Sequence, residues 1–544
     1  MLRGTTTEKS FVTQSAGVAS FSFCLSALRI LPRDLCHVPP RRGTDPSTRA
    51  TGLPVGHRMS EVYFVNTTFR DGHMSLWSER MTTGMILPVA ALADRAGFVG
   101  MEIISTSIFK KCVRELREDP WERIRLVAQK APKTPLASMM ARSISSFQLT
   151  PRSVLKLWVE RLAANGIKRL QLMDPANDMV SLAPYLLSAA QNAGLEVVLA
   201  VVYSLSPKHS DEYFAQKVRA ARALKPNRIY LKDPSGLLTP ERVQTLVPQF
   251  LKNAGGIPVE LHSHCTTGLA PLCYLEAIKL GIDTVHTAIP PLANGSSNPS
   301  LYNIVNNIRA LGYTPVIDES VIKPIEEHLT FIAKREGLPA GAPLEYDHSQ
   351  FLHQVPGGVI SNLKFQLAQL RMVERLDEVL DEIVRVRADL GYPIMVTPFS
   401  QFVVSQAAIN VMLGNRYREV TDEVIQYALG FWGDEQRSSM DREVTAKILD
   451  RPRARDLARW TPPEPTLKEV RERVGAAGIS DDEFLLRCFL RPEEIATMRA
   501  AGPPRDYLTA QHPVANLIRH LTTRKNSAFV RIQKGGFSLT LGKR

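Results

Sequence analysis

RIYLKDPSGLL at 228–238 and PVELHSH at 258–264 carry the reading of the fold. Each is a short apolar run that ends in titratable residues, Lys232-Asp233 in one and His262-Ser263-His264 in the other. A run that is apolar at successive positions suits a strand covered on both faces, and the stretch between the two has the period of a crossover helix. Working outward, the same alternation recurs in VYFVNTTF (62–69), VGMEII (99–104), PLASMMA (135–141), RLQLMDP (169–175), EVVLAVVY (196–203) and TVHTAI (284–289). SVLKLWVERLAANG (153–166) is typical of the segments between them, with apolar residues at helical spacing and Gly166 placed to end the helix. Eight strand-and-helix units in about 240 residues predict a closed (β/α)8 TIM barrel. No GxGxxG follows the first run and no Walker loop occurs, which leaves an open doubly wound sheet without its signature.

The 544 residues are 44% hydrophobic and 22% charged, a balance that excludes collagen, coiled coil and wholesale disorder. Six scattered cysteines with no CxxC pair give neither a disulfide framework nor zinc-finger spacing. No apolar stretch reaches the roughly 18–20 residues of a membrane span. The net charge of +13 sits at the ends, +5 over 1–58 and +7 over 511–544, so a body of +1 remains and nucleic acid is not expected as a partner. Residues 1–58 are rich in Ser, Arg and Pro and lack apolar periodicity. They read as a transit peptide, an unstructured extension, or translated upstream sequence ahead of a start at Met59. A cytoplasmic location is expected, or the mitochondrial matrix if the segment is a transit peptide.

In a TIM barrel the active site lies at the C-terminal ends of the strands, and those ends here carry Arg70-Asp71, Asp174, Lys232-Asp233 and His262-Ser263-His264. His262 and His264 are two apart on a strand, so both imidazoles share a face and can bind one metal ion, with Asp71 as a carboxylate ligand from another strand. Lys232 would point into the barrel mouth, where burial lowers the pKa of an amine. Three roles stay open for it: a Schiff base, a carbamylated metal ligand, or an ion pair with Asp174 or Asp233.

In their order, RDGHMSLWSERM, LQLMDPANDM, IYLKDPSGLL, ELHSHCTTG, NGSSNPS and YDHSQFLHQVPGGVISNLKFQL resemble the carboxyltransferase domain of the pyruvate carboxylase, oxaloacetate decarboxylase alpha subunit and transcarboxylase family. The likeness runs from about Val62 to about Ala500 and takes in PTLKEVRERVG and DDEFLLRCFLRPEEI. It implies a divalent metal, zinc, manganese or cobalt, on Asp71, His262, His264 and a carbamylated Lys232. It also implies a keto acid or related acceptor, pyruvate- or oxaloacetate-like. Ser361, in PGGVISNL, stands where the family has a threonine that passes a proton between biotin and acceptor; a helix N-cap is the other reading of this serine. Arg70 would orient a carboxylate or carbonyl oxygen.

Several positions depart from the family pattern. Met74 replaces a glutamine, Cys265 replaces an acid, STSIFK at 105–110 replaces a glycine-rich stretch after the second strand, and the substrate arginine after the third strand aligns ambiguously with Arg142. Substrate choice is therefore left open. The chain has neither a biotin carboxylase nor an Ala-Met-Lys-Met carrier motif, so biotin would come on a separate carrier protein or carboxylase subunit. The expected organisation is an N-terminal extension (1–58), the barrel (59–344), a mostly helical part over the barrel mouth (345–505) and a basic tail (506–544). In that tail, strands around Lys534-Gly535-Gly536 offer a docking site for a partner or a hairpin packed on the body. The family likeness implies a homodimer. Two alternatives remain: a biotin-independent lyase or aldolase of the hydroxymethylglutaryl-CoA lyase type, and a non-catalytic scaffold subunit.

Overall fold

The computed structural model describes residues 60–141, 144, 150–181, 183–369, 371–460, 463–505, 507, 529–534 and 537–542. The extension 1–58 and Arg142 lie outside the described residues. Eight strands form where the apolar runs stand: β1 (Glu61–Asn66), β2 (Gly100–Ser105), β3 (Leu136–Ala141), β4 (Arg169–Met173), β5 (Glu196–Val202), β6 (Arg228–Asp233), β7 (Val259–Ser263) and β8 (Thr284–Thr287). Each pairs in parallel with the next, and β1 closes the ring by pairing with both neighbours, Val65 opposite His286 of β8 and opposite Gly100 of β2. β9 (Thr314–Pro315) adds a short parallel pairing at the start of β1. Most of the runs read from the sequence extend past the strands at their C-terminal ends. There the chain leaves the ladder to build the loops of the site, as at Thr67, Pro234 and His264.

Strand alternation sorts the side chains. Ile229, Leu231, Leu261, Val197, Leu199 and Val201 face outward into one large core shared with the surrounding helices. The helix Arg152–Asn165 shows how: Val154, Leu155, Trp158, Val159 and Leu162 fall on one buried stripe, and the chain stops at Gly166, whose φ of 120° a side chain would resist. Met173, Val198, Ala200, Val202 and Tyr230 face inward and form an apolar half of the barrel interior together with Ile394 and Val396.

Ile394 and Val396 come from the helical part, which sits on the C-terminal end of the barrel as expected. Gln354 donates to Leu205 O at 2.7 Å, Ser235 Oγ donates to Gln354 O at 3.0 Å, and Arg387 donates to Ser204 Oγ and Leu205 O, each at 3.0 Å. The helices of this part divide between two cores. Those between Gly357 and Ala458 surround Phe399, Phe402, Tyr427 and Trp432, whereas Phe484, Leu485, Ile495 and Met498 belong to the barrel core. Asp482 fixes that second attachment by accepting from Arg161 at 2.8 Å, Asn165 at 3.1 Å and Arg125 at 3.2 Å, while Phe489 packs edge-on against Trp158. β10 (Phe529–Lys534) and β11 (Phe537–Gly542) form the antiparallel hairpin expected in the tail, with Lys534 opposite Phe537. No described helix is long and apolar enough to cross a membrane.

Candidate active site

Local backbone chemistry aims the site residues. After β1 the chain turns tightly: Asn66 Oδ1 accepts from Thr68 N at 3.0 Å and the Gly72 amide donates to Thr67 O at 2.9 Å. A Cβ at Gly72 would lie 3.0 Å from Leu292 O, so the close approach there favours glycine. This turn carries Arg70 and Asp71 inward. After β6, Asp233 faces the other way from Lys232 and accepts from Leu237 N and Leu238 N at 2.9 Å and from Ser263 Oγ at 2.8 Å. Asp174 likewise accepts from Ala176 N at 2.8 Å. Both acids shape turns, so the ion-pair role that the sequence leaves open for Lys232 finds Asp233 occupied elsewhere.

Asp71, Lys232, His262 and His264 come together at the end of the barrel, all buried. His262 Nε2 lies 3.1 Å from Asp71 Oδ2, 3.1 Å from His264 Nε2 and 3.2 Å from Lys232 Nζ, and His264 Nε2 lies 3.2 Å from the same Asp71 oxygen. Two imidazole nitrogens and a carboxylate oxygen facing one another in a buried pocket form a donor set that can hold a metal ion. Burial would raise the Asp71 carboxyl, but Arg70 and the two histidines overcome it and hold the group well below the usual carboxylate range. Burial lowers the Lys232 amine to about 8, with Asp71 acting against the shift.

Arg70 is wholly enclosed. Its Nε and Nη2 engage Glu102 Oε2 at 2.7 and 2.5 Å, and its Nη1 lies 3.2 Å from Asp71 Oδ1. The guanidinium thus lies between two carboxylates of its own chain and holds Asp71 in place. Ser361 falls in the helix Gly357–Gln369, five residues into it, which corrects the N-cap reading. Its side chain is outside the described residues.

Beneath the cluster lies a polar layer that the strand-end motifs do not include. Gln171 Nε2 donates to Glu102 Oε1 at 2.6 Å, and His286 Nε2 lies 3.0 Å from Glu260 Oε2, while the other oxygen of Glu260 is paired with both Arg169 and, at 3.3 Å, Arg228. Asn298 donates to Ser263 O at 3.0 Å with its Nδ2 3.4 Å from His262. A sequence signal for this layer exists: Glu260 is two residues before His262 on β7, and an acid or a histidine inside a strand of apolar neighbours stands out.

Two of the departures from the family pattern, Met74 and the stretch at 105–110, lie side by side. STSIFK opens as a helix, Thr106–Lys111, capped by Ser105, whose hydroxyl accepts from Ile108 N at 3.3 Å. Ser107 donates to Glu79 at 2.6 Å and lies 4.0 Å from the Met74 sulfur. Burial pulls the half-buried Lys110 amine down. Cys265 is enclosed, and burial pushes its thiol up, which leaves it no nucleophilic character at neutral pH.

Residues 61–329 match the HMGL-like family and residues 351–503 the conserved carboxylase domain. The chain is 34% identical to a pyruvate carboxylase subunit of Methanocaldococcus jannaschii over 79% of its own length and 76% of the relative's. The chain belongs to this carboxyltransferase family. It is also 29% identical to the methylmalonyl-CoA carboxyltransferase 5S subunit of Propionibacterium freudenreichii subsp. shermanii, over 82% of this chain and 90% of that one. Among solved structures, the carboxyl transferase domain of Rhizobium etli pyruvate carboxylase with oxamate and biotin superposes with a TM-score of 0.73 at 25% identity, covering 82% of this chain and 78% of that one. The protein is an enzyme of the biotin-dependent carboxyltransferase type, and the barrel with its helical C-terminal part is the family architecture.

Proposed function

We propose that this site moves a carboxyl group between biotin, borne on a separate carrier protein or carboxylase subunit, and a keto acid of the pyruvate or oxaloacetate kind. The observation that carries the proposal is the convergence of Asp71, Lys232 and His264 on His262, each within hydrogen-bond distance of its Nε2, at the buried C-terminal end of the barrel. Asp71, His262 and His264 would hold a divalent ion, with Lys232 as a fourth ligand in its carbamate form. The donor set of nitrogen and carboxylate oxygen suits zinc, manganese or cobalt. When bound, the ion supplies Lewis acidity toward the keto oxygen of the acceptor.

The protein's own residues do the rest. Arg70 fixes Asp71 and is fixed by Glu102. Lys232, desolvated by its neighbours, keeps more of its amine neutral than a surface lysine does, and a neutral amine is what adds to carbon dioxide. The apolar half of the mouth, from Met173 to Val202 under Ile394 and Val396, excludes water from one side of the site. Ser361 would carry the proton between biotin and acceptor, a role that rests on its place in the PGGVISNL motif. The barrel (59–344) would form one domain, the helical part (345–505) a second, and the active form would be a homodimer.

The test is elemental analysis and mild mass spectrometry of the purified protein, followed by oxaloacetate decarboxylation with and without a biotinylated carrier. One divalent ion per chain, carbon dioxide on Lys232 and carrier-dependent turnover are expected. Metal with an unmodified lysine and carbon-carbon cleavage that ignores biotin would instead favour the lyase chemistry of the hydroxymethylglutaryl-CoA lyase type.

A further inference from the structure

We infer that His286 and Glu260 form an orienting relay that sets which nitrogen of His262 faces the site, so His286 is a positioning residue for the metal centre proposed above. This inference rests on that reading of Asp71, His262 and His264.

His262 has its two nitrogens on different business. Nε2 faces Asp71, His264 and Lys232 at 3.1–3.2 Å, and Nδ1 lies 3.2 Å from His286 Nδ1. A ligating nitrogen needs its lone pair, so a neutral His262 bound through Nε2 carries its proton on Nδ1. His286 Nδ1 must then accept that proton's hydrogen bond, which puts the His286 proton on Nε2. That nitrogen lies 3.0 Å from Glu260 Oε2, an acceptor, and Glu260 is pinned by the guanidiniums of Arg169 and Arg228. The links run in one direction: Arg169 to Glu260, His286 Nε2–H to Glu260, and His262 Nδ1–H to His286. Glu102 Oε1, the other group near His286 Nδ1, is farther away at 3.5 Å than His262 Nδ1 at 3.2 Å, and it accepts from Gln171 at 2.6 Å. Tyr230 stacks on the His286 ring, 5.6 Å between centroids with the planes 5° apart, which fixes the ring plane. Both histidines are completely enclosed.

Two near-isosteric variants separate this role from mere packing. In His286→Asn, the amide oxygen can stand where Nδ1 stood and accept from His262, while the link to Glu260 is lost. In His286→Gln, the amide reaches Glu260 as Nε2 did, while the acceptor for His262 is lost. Affinity for Co2+ and Zn2+ is read by chelator competition, with the visible absorption of bound Co2+ reporting the ligand geometry and circular dichroism checking the fold. His286→Gln should lose about 10–100-fold in affinity and show an altered cobalt spectrum, the cost of losing an outer-shell partner. His286→Asn should stay within about threefold of wild type on the same scale. Equal losses in both folded variants, or the larger loss in His286→Asn, would overturn the relay. Two ions per wild-type chain would overturn it as well, because Glu102, His262 and His286 would then be a second ligand group, with His262 Nδ1 binding metal in place of donating a proton. A wild-type chain that binds neither ion would instead defeat the underlying metal assignment.

Discussion

Replacing Glu102 by Gln isolates the charge at the centre of the barrel, since the two side chains have nearly the same shape and leave no cavity. Glu102 accepts from Arg70 Nε on one oxygen at 2.7 Å, with Arg70 Nη2 2.5 Å from the same oxygen, and from Gln171 on the other at 2.6 Å. An amide has one oxygen to offer where the carboxylate has two, so either Arg70 or Gln171 is left facing an N–H. Removing one partner of a buried ion pair costs about 3–5 kcal/mol. Asp71 remains 3.2 Å from Arg70 Nη1 and still matches part of its charge, which puts the expected cost at the low end, about 3 kcal/mol. With a urea slope of about 3 kcal/mol per molar, the midpoint should fall by about 1 M.

The pH dependence supplies a second check on Glu102. Burial would raise its carboxyl, but the Arg70 guanidinium outweighs this and holds it below its ordinary value of 4.5. A carboxyl depressed on folding contributes stability that is complete above the unfolded pKa and is lost as the pH falls toward the folded one. The gap between wild type and Glu102→Gln should therefore be full at neutral pH and narrow below about pH 4.5. Urea denaturation followed by near-ultraviolet circular dichroism measures it. A midpoint unchanged at neutral pH, or a gap that widens on acidification, refutes the reasoning.

Replacing His264 by Ala should remove most bound metal while leaving the helical content intact, as read by elemental analysis and circular dichroism; full metal loading would remove His264 from the ligand set. Asp482→Ala takes one acceptor from Arg125, Arg161 and Asn165 and should cost about 1–3 kcal/mol, with proteolysis between Leu467 and Ala501 as the local readout. Protection of that segment equal to wild type would show that the aromatic contacts of Phe489 suffice without Asp482. Cys112, Cys265 and Cys273 are buried, with the Cys112 thiol pushed up to about 12 by its enclosure, so native protein near pH 8 should resist thiol reagents at all three. Rapid labelling of Cys265 before urea is added would mean that the site edge opens in solution.

The (β/α)8 fold is legible because two local periods write it along the chain: apolar runs of strand length and helical stripes such as the one ending at Gly166. The same local rules expose Asp71, Lys232, His262 and His264, since strand alternation puts residues two apart on one face and the barrel gathers its strand ends. The roles of partners are less legible. The pairing of Arg70 with Glu102, 32 positions along, has no local sign in the sequence. Ser361 reads as either a proton carrier or an N-cap, and the helix start at Gly357 disposes of the second.

The sequence by itself determined which residues share a strand face and which elements alternate, because those properties depend on nearest neighbours in the chain. Tertiary structure alone decided that Glu102, Glu260 and His286 form a layer under the ligand cluster, that Asp233 turns away from Lys232 into its own loop, and that the helices after Thr466 join the barrel core. Each of these depends on ring closure and on packing between segments far apart in sequence, which no local pattern encodes.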